Sequence, residues 1–302
     1  MYKYITIQCI YVENKVSSFL EKYKRQPKIY IDLPSKGVYY NNTVIQDSQY
    51  TQIPIFGMNT MDEIMLKTPD ALFSGQATVD VIKSCAPLIL DPWNLVGFDI
   101  DYVLMAIRIA TYGETMPITA NCPKCNTENT ADIKLPSILD SLQKHEPTKT
   151  LTLKDLTFNL RPLNYREFTD FSRESFIIEK QLVQLERAEL SDEEADKQRQ
   201  QLFDARTKLN LKLTLRHVAT ISAGEDQETN LEEIEKFIVN NDSEFYGQLQ
   251  TSVQQINDAW GMPKFDMKCS NENCGNIYQT GISVDYASFF GTNSFRSRNL
   301  IS

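Results

Sequence analysis

The spacing of apolar positions along this 302-residue chain changes several times, and each change predicts an element. Ile5, Ile7, Cys9 and Tyr11 alternate with more polar neighbours, and so do Ile29, Ile31 and Leu33. A period of two predicts half-buried strands. Residues 12–27 between them read as a short helix and a basic connector. Pro34-Ser35-Lys36-Gly37 ends the second strand with turn chemistry. Val38–Tyr40 is expected to return as a strand, and Ile53–Phe56 is a further apolar run after a polar loop. From residue 60 the period lengthens. Thr60-Met61-Asp62-Glu63 has the form of a capping box, with a hydroxyl and a carboxylate placed to satisfy free amides of a first turn. Val81, Ile82 and Cys85 share one helical face, and Pro92-Trp93 interrupts. Ile100, Val103, Leu104 and Ile107 then fall at i, i+3, i+4 and i+7 of the clearest helix, Phe98–Thr111, with Gly113 at its end. Asp99 and Asp101 occupy its first turn, where carboxylates are read as partners of the helix dipole, not as an acid–base pair.

Alternation returns at Met116–Ala120 and Ala131–Leu135, and again at Phe265–Lys268 and Ile277–Val284. Between these pairs lies a long excursion. Leu151, Leu153, Leu156, Phe158 and Leu160 predict a hairpin turning at Lys154-Asp155. Tyr165–Leu190 and Ser191–Ser222 predict two long helices packed antiparallel. Phe168, Phe171, Leu182 and Leu185 would face Leu202, Leu209, Leu213 and Val218, with Ser191 as N-cap and Glu194 reaching back. Glu225–Glu235 passes from polar loop into helix, and Glu244–Trp260 is another amphipathic helix. Near the end, Tyr286, Phe289, Phe290 and Phe295 are joined by Arg296 and Arg298. A tail this short cannot build a core, so it either packs back or docks on a partner.

The expected class is therefore α+β, a mostly helical body with small antiparallel sheets and a split zinc-ribbon-like module. Its expected division is an N-terminal strand-and-helix arm over 1–27 and a core over 28–136. A hairpin-plus-helical insertion over 137–262 follows, then a second knuckle and tail over 263–302.

The two later strand pairs flank cysteines. Cys122-Pro123-Lys124-Cys125 places two thiolates on one turn, and Cys269 with Cys274, followed by Gly275, supplies a second pair. Four thiolates in a tetrahedron make a structural zinc site with no open position for water, which argues against a catalytic metal. Two irregularities stand out: four residues separate Cys269 from Cys274, and the pairs lie far beyond the usual ribbon spacing of ~15–20 residues. If Cys122, Cys125, Cys269 and Cys274 share one zinc, residues 137–262 are an excursion from a closed ribbon. Unliganded thiols are the alternative. Cys9 and Cys85 fall on apolar faces and are explained by packing.

Composition narrows the function classes. A net charge of −9 argues against non-specific nucleic-acid binding, and no apolar run is long enough to span a bilayer. Around the two cysteine pairs Lys124, Lys134, Lys264 and Lys268 are balanced by Glu128, Asp132, Asp266 and Glu272, so a nucleic-acid-binding ribbon is the weakest reading. The N-terminus has no signal-peptide pattern, and reduced cysteines fit an intracellular setting. His145 and His217 are the only histidines. Neither accompanies a nucleophile motif, and no phosphate-cradling, nucleophile-elbow or HExxH pattern occurs. An enzyme is not expected.

One order of pieces carries further meaning. Leu33-Pro34-Ser35-Lys36-Gly37 is followed by a short helix and by a helix ending in a cysteine, Asp80 to Cys85. Phe98-Asp99-Ile100-Asp101-Tyr102 with its helix comes next, then Tyr112-Gly113-Glu114 and Cys122-Pro123-Lys124-Cys125. Over roughly residues 29–135 this resembles the baseplate-hub assembly protein family of T4-like contractile-tailed bacteriophages. The resemblance implies a protein that works on the central hub, the structure that carries the tape-measure protein and nucleates the tail tube. Its partners would be tape-measure or hub proteins, in the host cytoplasm during assembly, with self-association left open. A hub subunit retained in the virion baseplate is the alternative reading. The long insertion and the irregular second cysteine pair are where a departure from the family is expected.

Overall fold

The computed structural model describes residues 23–66, 74–144, 146, 149–187, 191–281, 290 and 295–296. The expected Ile5–Tyr11 strand with Cys9, His145, and the tail residues Tyr286, Phe289 and Arg298 lie outside the described residues.

The chain is α+β, with a predominantly helical body and small sheets. Strand β1 (Pro27–Ile31) pairs antiparallel with β2 (Ile53–Phe56), setting Ile31 opposite Ile53. Val38–Tyr40 does not return as a strand; it belongs to the turn. Lys36 and Gly37 both adopt positive φ, 52° and 72°, which curls the backbone away from a ladder. Glycine is needed at position 37, since a Cβ there would lie 2.6 Å from the Tyr50 ring.

Helix α1 (Thr60–Met65) starts one residue earlier than the sequence pattern predicts. Asn59, not Thr60, is the cap: its Oδ1 accepts from the amides of Met61 and Asp62, and Asp62 returns a carboxylate oxygen to the Asn59 amide at 2.8 Å. Helix α2 (Gln76–Cys85) buries Val81, Ile82 and Cys85, as predicted. Helix α3 (Gly97–Tyr112) runs through the middle of the main core and is buried on nearly every side, which is why its sequence is apolar beyond a single stripe. The reading of Asp99 as a dipole partner falls short. This carboxylate is fully buried and accepts from the Ser35 amide at 3.0 Å and from the Tyr40 hydroxyl at 2.5 Å. The Tyr40 oxygen in turn accepts from the Val96 amide. The Pro34–Gly37 turn is thus fastened to the first turn of α3.

After α3, β3 (Thr115–Asn121) and β4 (Glu128–Lys134) form an antiparallel hairpin, and α4 (Leu135–Leu142) packs back on α3. The described part of the tail returns to this body. β11 (Phe295–Arg296) pairs parallel with β3, and the buried Phe290 accepts from the Tyr112 hydroxyl through its carbonyl.

The excursion gathers a hydrophobic cluster of its own, from Leu153 to Val253. β5 (Lys149–Leu153) and β6 (Leu156–Leu160) form the predicted hairpin, with Lys154 at φ 54° in the turn. Helices α5 (Tyr165–Leu185) and α6 (Asp192–Arg216) pack together as the predicted pair, with Ser191 capping the second. The second helix does not continue to Ser222. Residues Val218–Ala223 are strand β7, which pairs with β6 and with β8 (Asp226–Glu228) in a four-stranded antiparallel sheet. The β-branched run of Val218, Thr220 and Ile221 suits a strand, and the free edge of β6 supplies the partner. Helices α7 (Leu231–Val239) and α8 (Ser243–Trp260) cover this sheet through Ile234, Ile238, Phe245 and Leu249.

Several contacts tie the excursion to the main core. The Tyr165 amide donates to the Leu95 carbonyl at 2.8 Å, Trp93 stacks on Tyr165, and Trp260 packs on Phe98. β9 (Lys264–Lys268) and β10 (Ile277–Gly281) then form the last described hairpin.

Candidate metal centre

The two cysteine pairs meet at the ends of two hairpins. In the first, the Cys122 amide donates to the Thr127 carbonyl at 2.9 Å and the Asn126 amide to the Cys122 carbonyl at 2.8 Å. Asn126 takes the left-handed conformation, φ 57°, that lets the chain turn back into β4. In the second, the Cys269 amide donates to Asn276 O at 2.8 Å, and the Cys274 and Gly275 amides both reach Asn271 O. Gly275, at φ 54°, makes the turn. The wider spacing of the second pair is absorbed within this loop: Asn271 carries the extra residues, its Oδ1 accepting from the Asn273 amide.

All four ligand atoms lie within 4.8 Å of one another. Cys122 Sγ is 3.9 Å from Cys274 Sγ, and Cys125 Sγ is 3.5 Å from Cys269 Sγ. A tetrahedron of sulfurs around an ion at ~2.3 Å has an edge of roughly 3.8 Å. The thiol group therefore has the size of a tetrathiolate metal site, and none of the four is joined in a disulfide. Cys122 and Cys269 are buried, Cys274 is half-buried and Cys125 is exposed.

The surroundings shift the thiols in opposite directions, Cys122 and Cys125 toward the charged form and Cys269 and Cys274 away from it. The Thr127 hydroxyl, 3.2 Å from Cys125 Sγ, and the Thr127 amide draw the Cys125 thiol down to about 6. Burial pushes Cys269 up to about 11, and the neighbouring thiols add to it. Thiolates this close repel one another, so all four ionise together only when a cation offsets their charge. This donor set fits a metal ion with a closed, all-sulfur shell.

The surroundings of the four cysteines were not visible in the motif. Asn129, buried on the inner face of β4, donates from Nδ2 to the Thr127 carbonyl at 2.8 Å and to the Tyr278 hydroxyl at 3.1 Å. Its Oδ1 accepts from the Ser270 amide at 2.6 Å. Tyr278 on β10 donates to the Ala120 carbonyl at 3.1 Å, and Asn276 Nδ2 lies 3.8 Å from Cys122 Sγ. One signal was available: Asn129 stands at an inward strand position, in register with Ala131 and Ile133, where an apolar residue is the default.

Neither Cys85 nor His217 approaches this centre. Cys85 sits in the main core beside Asp62, and burial pushes its thiol up to about 12. His217 closes the C-terminus of α6, its Nδ1 against the Arg161 carbonyl and its Nε2 against Asn257 Nδ2. Burial holds it below the usual imidazole range. Among the described residues no helix is long and apolar enough to cross a membrane.

A family model described as T4 bacteriophage base plate protein matches residues 58–291. The match runs through the excursion and the second cysteine pair, where the sequence resemblance had been expected to weaken, and it begins past the Leu33–Gly37 turn. No curated protein and no solved structure matches the chain.

Proposed function

This chain belongs to the T4 bacteriophage base plate protein family, and from that premise we propose that it is a hub assembly factor which binds tape-measure or hub proteins without catalysing a reaction. It would do so in the host cytoplasm while the baseplate is built. We infer further that the tetrathiolate centre holds zinc. The four sulfurs close a tetrahedral shell, the usual arrangement of structural zinc, and the ion would act there as a cross-link.

The observation that carries the partner reading is the helical pair α5–α6. Beside it, against α8 and the start of α3, runs a groove of about 810 Å³ walled by Phe168, Phe171, Phe176, Leu209, Leu213 and Trp260. Phe168 and Phe176 are about half exposed, at 53% and 52%, and Ile177, Val183 and Phe203 are similarly open along the pair. The outer charges engage each other locally, as in Arg173–Asp170 and Arg199–Asp196, and solvate the remaining surface. An open apolar groove between helices suits the apolar face of a client helix. A long helical client such as a tape-measure chain would need cover for its apolar faces before a tube closes around it.

The exposed aromatics also favour a second reading. A subunit retained in the baseplate would bury them in permanent contacts. Quantitative proteomics on infected-cell lysate and purified particles separates the two. The assembly-factor reading predicts abundance in lysate, co-purification with tape-measure or hub proteins, and depletion from finished particles. Recovery at fixed stoichiometry in every particle would establish the structural subunit instead.

A further inference from the structure

The two knuckles belong to different sheets. β3 and β4 carry the first, within the sheet ordered β11–β3–β4, and β9 and β10 carry the second. Side-chain hydrogen bonds cross between them, and Asn129 takes part in two, those with Ser270 and Tyr278.

Asn129 is only 4% exposed, and every polar atom of its side chain is engaged. Its Oδ1 receives the amide of Ser270, the residue directly after Cys269, at 2.6 Å. One amide hydrogen is aimed at the carbonyl of Thr127, two residues after Cys125, at 2.8 Å. The other is aimed at the Tyr278 hydroxyl, which passes its own hydrogen to the Ala120 carbonyl, two residues before Cys122. One planar amide therefore touches the backbone beside Cys125, the backbone beside Cys269 and the strand beyond Cys274. Its orientation is fixed, because turning it over would face an NH2 group toward the Ser270 amide. A carboxylate of the same size cannot replace it, since it would set an acceptor against the Thr127 carbonyl.

We propose that Asn129 is a positioning residue that clamps the two knuckles together, so that the four thiols converge before the metal arrives. The proposal rests on the metal reading above. The clamp is made of protein atoms alone, is buried and is satisfied, and each of its bonds joins groups within two residues of a cysteine or on the strand that follows one. A clamp of this kind limits how far the thiols spread when the ion leaves, so it acts on metal retention. The four cysteines supply the bonds to the ion; Asn129 supplies their spacing. Outer partners of metal ligands typically carry on the order of 10–100-fold of the metal affinity.

The test is a cobalt(II) titration of the full-length, metal-stripped chain, followed by competition with zinc and a chromophoric chelator. Wild type is expected to take up one cobalt with the intense thiolate charge-transfer bands of a tetrahedral all-sulfur site. Asn129→Ala and Asn129→Asp should both weaken cobalt and zinc by about 10–100-fold, and should speed metal release to the chelator. Tyr278→Phe, which deletes one oxygen and keeps the ring packed, should give a smaller shift in the same direction. Phe158→Ala, a destabilising change in the separate cluster of the excursion, should leave the affinity near wild type. Wild-type affinity in Asn129→Ala and Tyr278→Phe overturns the proposal, and so does an equal loss in Phe158→Ala, which would reduce Asn129 to general stability. A wild-type chain that takes no cobalt is a different result: it defeats the metal reading and the clamp with it.

Discussion

Asp99 shows how far a single residue can be read from sequence. Its place in the first turn of α3 was evident, and so was the favourable dipole. What the sequence could not show was that Ser35 and Tyr40, about sixty residues earlier, would bring an amide and a hydroxyl to it and shut out water. Burial raises its folded-state pKa from 3.8 to about 6, although the hydrogen bonds from Ser35 and Tyr40 pull the other way. The folded chain therefore holds this proton more tightly than the unfolded one between those values. The contribution of Asp99 to stability is complete below 3.8 and is lost as pH rises through about 6. Denaturant midpoints of wild type and Asp99→Asn at pH 4 and pH 7 should show wild type losing ground to the variant as pH rises. A gap that widens in favour of wild type would contradict this account. The capping of α1 is a similar lesson on a smaller scale. Asn59-Thr60-Met61-Asp62 and Thr60-Met61-Asp62-Glu63 are both plausible boxes, and only the hydrogen bonds that the buried Asp62 accepts from Arg25 and Ser84 favour the earlier one.

Elements whose period runs longest were the most legible. The α3 helix, the β5–β6 hairpin and the α5–α6 pair all stand where the apolar spacing places them. The failures occur where two codes overlap. Leu209, Leu213 and Val218 continue a helical stripe, yet Val218 to Ile221 also satisfies a strand, and the open edge of β6 decides for the strand. Val38–Tyr40 has strand-like residues, but the positive φ values before it and the hydrogen bonds of Tyr40 to Asp99 and Val96 turn it aside. Because β7 closes the sheet over Phe158, the excursion stands on its own apolar cluster. Phe158 is fully buried and lies 5.7 Å from the Phe245 ring. Phe158→Ala should cost about 3–5 kcal/mol, read as a lowered denaturant midpoint for the excursion. A loss of less than about 1 kcal/mol would mean that the cluster does not hold this part together.

At the scale of the whole molecule, the cysteine motif foretold a contact that no local pattern could. Cys125 and Cys269 are 144 positions apart and Cys122 and Cys274 are 152 apart, yet their sulfurs meet. The thiol chemistry was legible because few other arrangements explain two such pairs. The clamp at Asn129 was not, since an asparagine in a strand carries no signal until its partners are known. The same holds for the groove beside α5 and α6, which needs α3 and α8 as walls and so exists only in the assembled chain. An ion held by these four sulfurs would close the loop around the excursion and join the two hairpins next to the main core. Elemental analysis combined with native mass spectrometry of the purified full chain tests this most directly. The account predicts one zinc per chain, kept through purification and lost when Cys125→Ser removes one of the four sulfurs. A folded chain that carries no metal, and binds none when zinc is supplied under reducing conditions, would contradict it.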